Sequence, residues 1–101
     1  MKKHLIGSID LKDKLQCPEP VVVEYFRTET EDWEECYGTK KPIGIEVVKN
    51  ELLNGVTYRE IKTITHIGDD VKKVDSILEI LCRNSVTPVC VADVLEDMKL
   101  I

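Results

Sequence analysis

Asn54-Gly55 is the feature that most constrains what this chain can fold into. Asn and Gly tolerate positive φ at both centres of a two-residue turn. Between two apolar runs the pair predicts a β-hairpin. The runs here are Gly44–Leu53 and Val56–Thr65. A two-residue turn sets Leu53 against Val56, Glu51 against Tyr58, Lys49 against Glu60, Val48 against Ile61 and Ile45 against Ile64. Apolar side chains meet apolar ones, and Lys49 meets an opposite charge, as a stable ladder requires. Val47 facing Lys62 departs from that pattern. Apolar spacing at 58, 61, 64 and 67 also leaves the strand period, so a bulge or strand end is expected near Lys62.

Upstream, Val21–Thr28 is β-branched and aromatic and reads as a further strand, with Val21, Val23 and Tyr25 on one face and Val22 and Phe26 on the other. Cys17-Pro18-Glu19-Pro20 stops any regular structure before it, because proline lacks a donor and restricts its predecessor. His4–Leu11 fits either a short strand or a surface arm. Between the strands, residues 29–35 place five acids around Trp33, the composition of a solvated connection, closed by Pro42.

Beyond the hairpin, Gly68-Asp69-Asp70 opens a helix, with its acids at the positive end of the helix dipole. Val71, Val74, Ile77, Leu78, Leu81 and Cys82 fall on one side at helical spacing, and only Ile80 projects into the polar side. Asn84-Ser85 ends it. Thr87 as N-cap and Pro88 as first residue start a second helix, with Val91, Val94, Leu95 and Met98 as its apolar stripe. The short link predicts a helical hairpin. Strands before helices mean an α+β fold. The expectation is a small antiparallel sheet of three strands, covered on one face by the two C-terminal helices. Residues 1–20 would be an arm or a fourth, edge strand, 21–67 the sheet and 68–98 the helices of one domain.

Composition narrows the function. With 14 Lys plus Arg against 19 Asp plus Glu, the net charge is −5. Phosphate binding needs clustered bases, and the short lysine runs 2–3, 40–41 and 72–73 are pairs and form no stripe, so no nucleic-acid partner is expected. No apolar run approaches the roughly 20 residues of a membrane span, and Met1-Lys2-Lys3 leads into no signal-peptide core. These features point to the cytosol and to no membrane partner. Cysteines 17, 36, 82 and 90 then read as reduced thiols. No two of them have the close spacing of a zinc ligand pair, and none forms C-x-x-C. Cys82 and Cys90 read instead as small core-facing side chains. No G-x-S-x-G, G-x-G-x-x-G or P-loop is present, and nothing in the sequence joins Cys36 to His66, so no enzyme, cofactor or metal is expected.

Thr87-Pro88-Val89-Cys90-Val91-Ala92-Asp93-Val94-Leu95-Glu96-Asp97-Met98 resembles the end of a family of short uncharacterised bacterial proteins, a domain of unknown function. In that family a strand with Tyr-Gly-Ile leads to two helices. Tyr37-Gly38 and Ile43-Gly44-Ile45 match loosely, Cys90 stands where the family often has His, and Met98 replaces an aromatic. The resemblance implies a fold and no activity.

Three candidate sites remain. Asp93, Glu96 and Asp97 lie at i, i+3 and i+4 and form one acidic patch on the last helix. It is either a docking surface for a basic partner, a weak divalent-cation site, or the solvated face of an amphipathic helix. Trp33 either anchors a partner or folds back over a sheet face. Ile80 is either a homodimer contact or a scattered surface residue. The expected function is a non-enzymatic interaction or regulatory module using the acidic helix face. The alternative is a small-ligand or divalent-metal-binding protein.

Overall fold

The computed structural model describes residues 2–12, 19–29 and 43–99. Four strands come first, β1 (Lys2–Asp10), β2 (Val21–Glu29), β3 (Ile43–Leu53) and β4 (Val56–Gly68), then helices α1 (Val71–Arg83) and α2 (Pro88–Asp97). The strands form one antiparallel sheet in the order β1-β2-β3-β4. The N-terminal segment is therefore the fourth strand. Trp33, Cys17, Cys36, Tyr37-Gly38 and Pro42 lie outside the described residues.

Asn54 and Gly55 both take positive φ, 52° and 80°, and close the hairpin tightly. Its register sets Leu53 opposite Val56, Lys49 opposite Glu60, Val48 opposite Ile61 and Ile45 opposite Ile64, as the sequence requires. The bulge is displaced from its expected place. Lys62 stays in register with Val47, and the irregularity falls beyond Ile64, where Ile43 pairs with Gly68. Two local causes act there. A Cβ on Gly44 would overlap the Ile64 carbonyl oxygen and lie 2.8 Å from the Thr65 Cα, so only glycine admits this approach. His66 takes φ 59°, which turns the strand. Lys62 needs no bulge, because an edge strand lets its aliphatic stem lie on the sheet while the ammonium reaches water.

Val21, Val23, Tyr25, Ile43, Ile45 and Val47 are buried on one sheet face, under Val74, Ile77, Leu78 and Leu81 of α1 and Val91 and Leu95 of α2. The helix α1 lies mainly on β1 and β2, and α2 on β4 and β3. Asp70 is the N-cap of α1 and accepts from the Lys72 N–H at 3.0 Å, so the acid precedes the first turn instead of sitting in it. Thr87 occupies the N-cap of α2 without a side-chain bond. Val71 and Met98, expected in the apolar stripes, are exposed at the helix ends. Cys82 packs against the core as expected, but Cys90 is exposed. Its place one residue before Val91 turns it away from the sheet, because Pro88, Val91 and Leu95 set the buried side of α2.

Polar contacts at Tyr25 and Arg27 help fix the helices to the sheet. The Tyr25 hydroxyl, inside the core, donates to the Val86 carbonyl between the helices at 2.8 Å. Arg27 on β2 donates from Nη1 to both carboxylate oxygens of Asp75 on α1, at 2.8 and 2.6 Å. Its Nε is buried without a hydrogen bond and lies 3.3 Å from a Glu29 oxygen.

Tyr25→Phe leaves the Val86 carbonyl without its donor in the core and should lower stability by about 1–3 kcal/mol in urea denaturation. Burial, with a smaller push from Cys82, also raises the Tyr25 pKa above its ordinary 10.0. The folded chain then holds that proton to higher pH than the unfolded chain. This contribution to stability is complete below about pH 10 and is lost as pH climbs further. Tyr25→Phe should make the alkaline fall shallower. Asp75→Ala strands a largely buried guanidinium and should cost about 1.5–3 kcal/mol. Removing both charges, as Arg27→Met with Asp75→Leu, should recover part of that loss in the same assay.

Candidate interaction surface

The two sheet edges differ. β1 is blunted by a bulge between Leu5 and Gly7 and carries Lys2 and Lys3, both devices that discourage strand pairing. β4 is regular from Val56 to Ile64 and pairs with β3 on one side only. In a two-residue hairpin the residues flanking the turn exchange both backbone hydrogen bonds. Val56, Tyr58, Glu60, Lys62 and Ile64 therefore aim their backbone groups at β3. Thr57, Arg59, Ile61 and Thr63 aim theirs outward, along the free edge.

Side chains follow the same parity. Tyr58, Glu60 and Lys62 lie on the face that carries the helices. Arg59, Ile61 and Thr63 lie on the other face, opposite Asn50, Val48 and Glu46. On that face Glu46 is buried, accepts from Thr63 Oγ1 at 2.9 Å and pairs with Lys3 Nζ at 2.7 Å. Val56, Tyr58 and Ile61 are each more than half exposed. Glu60 lies 3.7 Å from Lys49 on β3, whereas Lys62 has no acidic partner among the described residues.

The rim comes from α2. Burial of Pro88, Val91 and Leu95 leaves Val89 75% exposed, above the β4 edge. Between them runs a groove of about 490 Å³ lined by Glu60, Ile61, Lys62, Pro88, Val89 and Ala92. At 100° per residue, Asp93 and Glu96 lie within about 40° of Val89, and Asp97 within about 80°. All three acids are exposed. The acidic patch is thus the continuation of the Val89 stripe along the same helix.

Ile80 is half-buried on α1 and takes no part in the groove. Trp33 lies outside the described residues. Among the described residues no three His, Cys, Asp or Glu side chains gather as a ligand set, and Asp93, Glu96 and Asp97 stay apart in that sense. Among the described residues, burial raises the pKa values of Tyr25 and Cys82, and neither lines the groove. No helix among the described residues is long and apolar enough to cross a membrane. The β4 edge itself was the feature missed at the level of sequence. Its signal was the alternating sign of Glu60 and Lys62 on the last strand of a meander, beside the apolar Val89.

Cys90 gives a direct test of how α2 is turned. In a Cys17→Ser/Cys36→Ser background, Cys90 should react rapidly with a maleimide under native conditions. Cys82, packed against the core with its pKa raised by burial, should react only slowly. Mass spectrometry of the labelled peptides reads the difference.

Neither the comparison with curated proteins nor that with solved structures finds a match. A family model does match, over residues 3–100, which takes in all four strands, both helices and the β4 edge: the chain belongs to DUF6514, a family of unknown function.

Proposed function

We propose that the chain is a non-enzymatic protein-interaction module, working in the cytosol, which receives an extended partner strand along β4. Strand addition to a free edge uses main-chain hydrogen bonds for affinity and alternate side chains for specificity. The observation that carries this reading is the regular outward row of β4, flanked by exposed Ile61 and Tyr58 and roofed by Val89. Asp93, Glu96 and Asp97 form the acidic border of the same surface and favour partners that bring a basic side chain beside the added strand. This extends the acidic-helix expectation, because the patch acts together with an edge that supplies the directional bonds.

A photo-crosslinking residue placed at Val89 should give adducts in native cytosol, and one placed at Glu79, on the exposed side of α1, should not. Ile61→Pro removes one outward N–H without touching the β3 ladder, and it should abolish the Val89 adducts while the circular dichroism is retained. Adducts that persist in Ile61→Pro would reject strand addition as the mode of docking.

A further inference from the structure

We infer that the strand received by β4 is β4 of a second copy of this chain, antiparallel about a two-fold axis through Ile61. This rests on the reading of β4 as a docking edge and names its occupant. An axis normal to the sheet preserves the faces, so residues placed opposite one another must have the same parity. Only a few registers satisfy that condition near the middle of the groove. Centred on Ile61, the pairing sets Glu60 against Lys62 of the second copy, and Lys62 against its Glu60. One step in one direction opposes Glu60 to Glu60. One step in the other opposes Lys62 to Lys62. Opposite charges across a ladder stabilise and like charges destabilise, so the sequence of β4 selects one register against its neighbours.

The remaining pairs agree. Ile61 meets Ile61 through the outward backbone groups that the hairpin parity leaves free. Tyr58 meets Ile64, and Arg59 meets Thr63. Glu60, Ile61 and Lys62 are also the β4 residues that line the groove, so the axis passes through its middle. Val89 and Ala92 of both copies then come to one seam, which accounts for an apolar side chain left 75% exposed on α2. Lys62, without an acid partner among the described residues, acquires one.

Sedimentation equilibrium of the purified full chain, at up to about 100 µM, should show a reversible dimer. Glu60→Lys and Lys62→Glu each place like charges across the seam, and each should raise the dimer dissociation constant roughly tenfold or more. The decisive arm mixes the two variants. One chain then carries lysine at both positions, 60 and 62, and the other carries glutamate at both. Both 60–62 pairs across the seam again join opposite charges, so heterodimers should form at near wild-type affinity. A purely local effect of either substitution on the fold would not be repaired by mixing. A wild-type chain that stays monomeric, or variants whose mixture stays monomeric, would overturn the inference. Val89 adducts to other proteins that vanish in Ile61→Pro would, in that event, leave the docking edge itself standing.

Discussion

Strand parity, fixed by the turn at Asn54-Gly55, underlies everything else in this structure. Both residues hold positive φ, and the turn admits one register. A slip by one residue would send Ile45 and Val47 to the open face and bring Glu46 and Val48 under the helices. Parity therefore decides which residues meet Leu78 and Leu95 in the core. It also decides which backbone groups of β4 are used by β3 and which are left at the edge. Core and free edge are two results of the same choice.

The meander order then makes an asymmetric molecule. Its first and last strands are both edges, yet only the first carries a bulge in its middle and paired lysines. The helix α1 lies mainly on the β1–β2 half of the sheet and is tied to it by Arg27 and Asp75. The helix α2 lies on β3 and β4 and overlooks the free edge. Helix seating thus closes one half of the sheet and leaves a groove at the other.

Much of this was legible in the sequence because it rests on local rules. Turn chemistry at residues 54–55 set the register of the hairpin, and apolar periodicity at Val74, Ile77, Leu78 and Leu81 set the buried side of α1. Gly68-Asp69-Asp70 and Thr87-Pro88 marked where the helices start, although Asp70 proves to be the cap of α1 and Thr87 makes no side-chain bond. What sequence left open depends on contacts between distant elements. The bulge lies at 65–67 because the backbone of Gly44 approaches Ile64 and Thr65, which periodicity cannot see. Cys90 faces out because α2 is rotated by the seating of Pro88 and Leu95. The fourth strand depended on pairing with β2, since His4–Leu11 has no strong pattern of its own. The acidic patch was visible as a patch, but the groove between Val89 and β4 was not.

The bond from Tyr25 to Val86 has a consequence for recognition. Val86 lies in the link that leads into α2, so the hydroxyl at the sheet centre ties down the start of the helix that carries Val89. The roof over the groove is held in place before any ligand arrives. In the proposed strand addition, the incoming strand meets a preorganised surface, and the entropy lost on association is confined mainly to the newcomer. On that proposal, a tyrosine remote from the groove thereby bears on how tightly the added strand is held.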